Sequence, residues 1–291
     1  MKPPLRTALA NRYAVQPTAI REVPGGVANR AYTLGDHLFL RIPRTEALEQ
    51  DLLKEAAVIP VARAAGVRTP AIVDLDTTRA LVDAPYMVLE QVHGADLVDT
   101  ATPSPTFWRE VGNQIALLHQ VDQPPAGIAP DDGGDPRPTV DKLATDGYLD
   151  AGTANWLLDC FDRLAAQIPS EQPPVLLHGD LAPQNLMAQG NQLIALIDWG
   201  DAAWGPAGME FAKLPLEQVV DTLRGYRGRQ GMEAAVLWFH LSWGLSNLTQ
   251  SPQPGQRHWT APPASRLLGV LRFYASSPPE PWRNLIKKAQ N

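Results

Sequence analysis

Ala31-Tyr32-Thr33-Leu34 forms one short, largely apolar run and His37 to Arg41 another, with Gly35-Asp36 between them. Two such runs around a Gly-Asp pair predict a tight hairpin. Arg21 to Pro24 precedes it and leads into Gly25-Gly26, and two further strands are predicted over 71–75 and 85–92. From Thr45 to Ala65 the period lengthens. Leu48, Leu52, Ala56, Ile59 and Ala62 recur in steps of three and four, which predicts a helix with one buried face. Gly66 is a natural stop, and Pro60, which has no N–H, is expected to kink or restart the helix. After His93-Gly94 helical periods take over. Phe107, Val111, Ile115 and Leu118 line one face; Leu157, Phe161, Leu164 and Ile168 line another, ended by Pro169. A β-rich island over 175–198 interrupts the helices, and 207–275 reads as helical again. Five strands and a helix, then a mainly helical stretch, predict an α+β fold with two lobes, 1–93 and 94–291, joined near Gln91 to Gly94.

A chain of 291 residues accommodates two lobes, and an apolar share of 44% is enough to fill their cores. The net charge is −6 and no Lys/Arg-rich run occurs, so the electrostatic footprint of a nucleic-acid binder is missing. An acidic surface also repels anionic lipids and tolerates cationic small molecules. The single cysteine, Cys160, lies in a helical apolar pattern and reads as a buried thiol with no disulfide role. Met1 to Val15 lacks an apolar core of signal-peptide length. The longest apolar stretch, near Ala234 to Leu248, contains His240, Ser242 and Ser246 and is too short to span a bilayer. A soluble, cytoplasmic protein is expected. The Pro/Gly-rich segments 124–138 and 251–255 read as loops.

The chemistry is concentrated in Leu176-Leu177-His178-Gly179-Asp180-Leu181-Ala182-Pro183-Gln184-Asn185, followed by Ile194-Ala195-Leu196-Ile197-Asp198-Trp199-Gly200-Asp201. The first part has the form H-x-D-x-x-x-x-N. The second is an apolar strand, then Asp, an aromatic and Gly. In order and spacing they match the protein-kinase catalytic loop and its metal-binding D-F-G turn. Asp180 leaves an apolar strand for a loop stiffened by Pro183, where its carboxylate can orient an acceptor hydroxyl and take its proton. Residues 186–198 read as a hairpin turning near Gly190-Asn191, which brings Asp198 back beside Asn185. Two hard oxygen donors together suit Mg²⁺, which binds through few protein ligands plus phosphate oxygens.

With H-G-D-x-x-x-x-N followed by I-D-W, the segment His178 to Asp201 resembles the aminoglycoside phosphotransferase and choline-kinase-like family. The resemblance implies a protein-kinase-like bilobal fold: a small N-terminal lobe with an antiparallel sheet and a helix, and a larger, mainly helical C-terminal lobe. It implies transfer of the γ-phosphoryl group of ATP or GTP, with Mg²⁺, to a hydroxyl of a small, polar or cationic acceptor. It also implies roles for residues outside the motif. Gly25, Gly26 and Asn29 fall in the loop that covers the phosphates. Arg41 corresponds to the base that contacts ATP phosphates, and Glu55 to the acid that holds it, with Glu49 as a competitor. Glu90 and Val92 correspond to the backbone that meets adenine. Gly179 stands where protein kinases carry an Arg that pairs with a phosphorylated activation loop, which argues against a phosphorylation-gated kinase. The family's usual G-D-P-x-x-D-L-A is altered here to Gly205-Pro206-Ala207-Gly208-Met209-Glu210-Phe211-Ala212, on the segment expected to shape the acceptor side. No Walker A sequence occurs, which excludes a P-loop kinase.

Several residues have two readings. His178 is expected to prop the catalytic loop rather than act as a base. Asp201 is either a metal-supporting acid or a turn cap. Asp131, Asp132 and Asp135 form a solvated loop or attract a cationic acceptor. Trp204, Trp238, Trp243 and Trp259 are mostly core, with one or two placed to wall a sugar or cap a quaternary ammonium. His93, His119 and His240 lack zinc-site spacing. Aminoglycoside, macrolide, choline, fructosamine-like and homoserine-like acceptors stay open. A catalytically silent kinase-fold binding module is the alternative from another class, and the presence of Arg41, Asp180, Asn185 and Asp198 speaks against it.

Overall fold

The computed structural model describes residues 3–24, 28–97, 103–228, 230–250 and 263–286. Helix α1 (Pro3–Arg12) precedes strands β1 (Ile20–Val23), β2 (Asn29–Leu34) and β3 (Leu38–Pro43). Helix α2 (Glu49–Ala64) follows, then β4 (Ile72–Asp76) and β5 (Tyr86–Glu90). These strands make one five-stranded antiparallel sheet in the order β1-β2-β3-β5-β4. The β2–β3 hairpin turns at Gly35-Asp36 as its sequence predicts, with Gly35 in the left-handed region at φ 67°. Arg41 lies on the central strand, opposite Ala31 on one side and Met87 on the other. Pro60 does not restart α2. It sits on an exposed position and the helix runs through it.

Helix α1 has no apolar stripe to reveal it in sequence. It docks through Leu9 and Ala10 against a small core with Ile20, Tyr32, Leu40 and Tyr86. Arg12 then bonds both Asp74 and Asp76, tying α1 to the edge strand β4.

Beyond the sheet come α3 (Pro105–Leu118), α4 (Arg137–Thr145), α5 (Ala151–Ala165), β6 (Val175–Leu177), β7 (Leu186–Gln189), β8 (Gln192–Leu196) and β9 (Ala203–Gly205). Helices α6 (Leu216–Tyr226), α7 (Met232–Ser246), α8 (Pro263–Ala275) and α9 (Trp282–Leu285) complete the described chain. The predicted face of α3 is buried throughout, as are Leu157, Phe161 and Leu164 of α5. Helix α5 ends at Ala165, ahead of Ile168. The island over 175–198 resolves into β6 and the β7–β8 hairpin, which turns at Gly190-Asn191. Strand β9, which the sequence did not signal, pairs antiparallel with β6. Helices α3 and α6 pack backbone to backbone: a Cβ on Gly112 would lie 1.9 Å from the Thr222 carbonyl oxygen, and one on Gly225 would lie 1.8 Å from that of Arg109. One continuous apolar core joins α2 and β5 to the helices and to the β6–β8 island. Among the described residues, no helix is long and apolar enough to cross a membrane.

Candidate active site

A cleft of about 650 Å³ opens between the sheet and the β6–β8 island. Arg41, Asp180, Asn185 and Asp198 line it together, although more than 150 residues of chain separate the first from the last.

Strand β6 ends in His178-Gly179-Asp180, and each residue of that turn is fixed differently. His178 is fully buried. Its backbone N–H donates to Glu210 at 2.7 Å, and its Nε2 meets the Ile197 carbonyl oxygen at 3.0 Å. The imidazole therefore ties this turn to the segment that carries Asp198, and it packs against the Trp199 ring with centroids 4.4 Å apart. Gly179 has φ +78°, and a Cβ there would lie 1.9 Å from the Asp201 carbonyl oxygen. No side chain fits at this point, so a glycine is required by space as well as by backbone conformation.

Asp180 projects into the cleft with both oxygens engaged. Asn185 Nδ2 donates to Oδ2 at 2.7 Å and to the Asp180 carbonyl at 2.8 Å, and Lys213 Nζ lies 2.8 Å from Oδ1. The Asn185 backbone carbonyl accepts the Ile197 N–H at 3.0 Å, which locks the loop against the residue before Asp198. Asp198 has φ 69°, a region where Asp is among the better tolerated residues.

Arg41 connects the sheet to this centre. Its guanidinium bonds Glu55 Oε1 at 2.5 Å and Asp198 Oδ1 at 2.7 Å. Glu55 Oε1 also accepts the Trp199 N–H at 3.3 Å, so α2, β3 and the Asp198 turn meet at one carboxylate. Of the two acids expected to hold Arg41, Glu55 does so, and Glu49 instead bonds Arg79. The two carboxylates that share Arg41 are pushed apart. Burial raises the Glu55 carboxyl above the ordinary range despite Arg41. For Asp198 burial also pulls upward, but the Arg41 charge and hydrogen bond outweigh it and the carboxyl stays below its ordinary value.

The remaining expected residues are distributed as follows. Asn29 opens β2, lines the cleft and is buried, and its Oδ1 has no hydrogen-bond partner among the described residues. Glu90 and Val92 line the cleft at the end of β5, where the Glu90 N–H is already taken by the Ala71 carbonyl. Gly25 and Gly26 lie outside the described residues, as does Trp259. Trp243, on α7, lines the cleft, whereas Trp238 meets Phe161 edge to face and lies under Arg137. Asp131 and Asp132 accept the N–H groups of Gly133 and Gly134, and Asp135 pairs with Arg137.

Sequence reasoning missed Lys213. It follows Ala212 on the altered segment, and its ammonium reaches Asp201 Oδ2 at 3.3 Å as well as Asp180. Asp201 is thus a partner of this lysine, a role neither of its two readings named. Glu210, on the same segment, does not border the cleft. It is buried beneath the catalytic turn, where it also lies 3.5 Å from His119 Nε2.

Mg²⁺ chemistry fits this donor set. The cleft offers the Asp198 carboxylate, 46% exposed, and the side chain of Asn185 as oxygen ligands. Among the described residues no cluster of three or more His, Cys, Asp or Glu side chains could hold a metal. An ion relying on two protein oxygens and completing its shell from phosphate and water matches the habits of Mg²⁺.

Comparison with known proteins decides the family. Residues 19–238 match the model of the phosphotransferase enzyme family, which is most of the chain. The chain belongs to this phosphotransferase enzyme family. It is on that ground a kinase-type enzyme that acts on small molecules. The GDP and kanamycin complex of APH(2")-IIIa superposes with a TM-score of 0.68 at 17% identity, covering 95% of this chain and 100% of that one. A macrolide 2'-phosphotransferase, MphH from Brachybacterium faecium, gives 0.62 at 18% identity over 94% and 97% of the two chains. A choline/ethanolamine kinase family protein from Mesorhizobium loti gives 0.60 at 19% over 97% and 98%. At these identities the likeness is one of fold, and this phosphotransferase family member has their kinase-like α+β architecture. No curated protein matches the chain by sequence.

Proposed function

We propose that the protein transfers the γ-phosphoryl group of ATP or GTP to a hydroxyl of a small molecule, with Asp180 as the base. The observation that carries this reading is the convergence of Asp180, Asn185, Asp198 and Arg41 on one cleft, with Arg41 anchored by a buried Glu55. In this reading residues 1–93 form the nucleotide-binding lobe and 94–291 the catalytic and acceptor lobe. Arg41 engages the phosphates, Gly25, Gly26 and Asn29 cover them, and the adenine or guanine ring sits against the backbone of Glu90 and Val92. Asn185 and Asp198 hold Mg²⁺, which when bound offsets the phosphate charge. Asp180, oriented by Asn185, accepts the proton of the attacking hydroxyl, and catalysis is otherwise positioning and charge stabilisation.

The acceptor enters from the side of Asp201 and Trp243. Neighbours of this fold hold kanamycin, streptomycin or gentamicin. The acids Asp51, Asp96 and Asp201 on the cleft wall favour a polar or cationic acceptor of that general kind.

Nucleoside diphosphate release should be followed with Mg²⁺ and ATP or GTP over a panel of aminoglycosides, macrolides, choline, amino alcohols and sugars. Asp180→Ala should lower acceptor-dependent release by about 10²–10⁴-fold while nucleotide binding persists. Equal turnover in the variant would remove Asp180 as the base, and a wild type that fails to bind Mg²⁺-nucleotide would sink the reading itself.

A further inference from the structure

The structure places a second cation at the catalytic carboxylate. Lys213 lines the cleft and spans Asp180 Oδ1 and Asp201 Oδ2 at 2.8 and 3.3 Å. An ammonium has three N–H donors, so these two bonds leave one for a ligand. Lys213 is the last residue of the short helical turn Ala207–Lys213, whose buried Glu210 is fastened to the catalytic turn through the His178 N–H. The lysine is therefore presented from an element rigidly coupled to Asp180, on the side of Asp180 opposite Asn185.

We propose that Lys213 is a catalytic residue that donates its remaining N–H to an oxygen of the phosphoryl group during transfer. The proposal rests on the phosphotransferase reading above and assigns the residue that stabilises charge on the acceptor side, as Arg41 does on the nucleotide side. In the step, the acceptor oxygen forms a bond to the γ-phosphorus while the bond from that phosphorus to the diphosphate oxygen breaks. The hydroxyl proton passes to Asp180, and Lys213 keeps all its protons. Asp180 and Asp201 together outweigh the burial of the ammonium and hold it protonated above its ordinary range. A fixed donor aimed where charge develops is the arrangement that most strengthens binding of the transition state over the ground state. A lysine that only propped Asp180 would be indifferent to the phosphoryl group.

That difference can be read without knowing the acceptor. Affinities for Mg²⁺-ADP and Mg²⁺-GDP are measured with and without aluminium fluoride, a mimic of the phosphoryl group in flight, in wild type, Lys213→Met and Lys213→Arg. Wild type should gain about 100-fold from the fluoride. Lys213→Met should bind the diphosphate within about twofold of wild type yet lose at least about tenfold of that gain, and Lys213→Arg should recover part of it. A Lys213→Met variant that keeps the whole gain overturns the proposal and leaves the phosphotransferase reading standing. So does a wild type that binds the diphosphate but gains nothing. A wild type that binds neither diphosphate overturns both.

Discussion

Arg41 and Lys213 each sit between two carboxylates in the same cleft, but the surroundings of those carboxylates differ. Arg41 is 10% exposed and its Glu55 partner 2%, so that pair is buried, although Arg41 also reaches Asp198, which is 46% exposed at the cleft. Lys213 is 19% exposed, and of its partners Asp180 is 23% and Asp201 61% exposed. A buried pair cannot lose one member cheaply, because the other is left charged in a poor solvent. A partly exposed pair loses one at lower cost, because water reaches the partner that remains. The same motif of one cation between two acids is therefore built into the fold at one end of the cleft, where in the proposed reading Arg41 also meets the phosphates, and is held more loosely at the other. The planar fork of Arg fits two fixed carboxylates, and the compact ammonium of Lys suits a partner that arrives with the substrate.

The largest expected effect tests this contrast directly. Arg41→Met should destabilise the protein by about 3–5 kcal/mol, since it strands Glu55 in the core. Lys213→Met should cost less than about 1 kcal/mol. Urea unfolding of the two variants checks both. Similar losses would show that both cations are built equally into the fold.

Gly179→Ala comes next. The left-handed backbone alone costs about 1–3 kcal/mol for a residue with a side chain, and the Asp201 carbonyl occupies the place its methyl would take. Stability should fall by at least about 2 kcal/mol, and phosphoryl transfer by more than stability explains, because both acids that hold Lys213 are displaced and a shift near 1 Å costs about 10²-fold. A variant as stable and active as wild type would show that the turn yields without disturbing Asp180.

The sequence announced the two ends of the cleft unequally, for physical reasons. The strands were legible as short apolar runs set off by turn residues, α2 and α3 by apolar residues in steps of three and four, and the His178–Asp180 turn because Asp180, Asn185 and Asp198 lie on one short stretch with fixed spacing. Arg41 and Glu55 could be paired from their strand and helix positions. Lys213 left no local trace. It is a lone lysine after an apolar pair, and only the anchoring of its helical turn beneath His178 through Glu210 brings it to Asp180. Helix α1 was invisible because it lacks an amphipathic stripe and is fixed by long-range bonds from Arg12. Pro60 does not end α2 because the packing of the helix overrides the propensity of one residue.

Arg12 is a third cation between two acids, outside the cleft, and it makes a smaller, pH-dependent test. Thr78 hydrogen bonds, helped by Arg12, lower Asp76 from 3.8 to about 2 against an opposing pull from burial. The folded value lies below the unfolded one, so its stabilisation is present in full above about pH 4 and fades as the pH falls toward 2. Asp76→Asn should melt below wild type at pH 7, and the gap in Tm should close across that window. A gap that persists to pH 2 would mean that Asp76 acts through packing rather than charge.

The smallest effect concerns the acidic loop. Asp131 and Asp132 each accept a glycine N–H two residues on, and neither lines the cleft. Asn offers the same side-chain oxygen, so Asp131→Asn and Asp132→Asn should each change stability by no more than about 0.5 kcal/mol. If the cleft acids govern how a charged acceptor is drawn in, the KM for a cationic acceptor should also stay within about twofold, because exposed charges off the cleft wall are screened by salt. Asp201→Asn makes the contrast, since it removes an exposed acid from the cleft wall and one partner of Lys213. A rise in KM for cationic acceptors alone in the loop variants, steeper at low salt, would move the recognition of charge from the cleft wall to the loop, and the division of labour between the two ends of the cleft would have to include it.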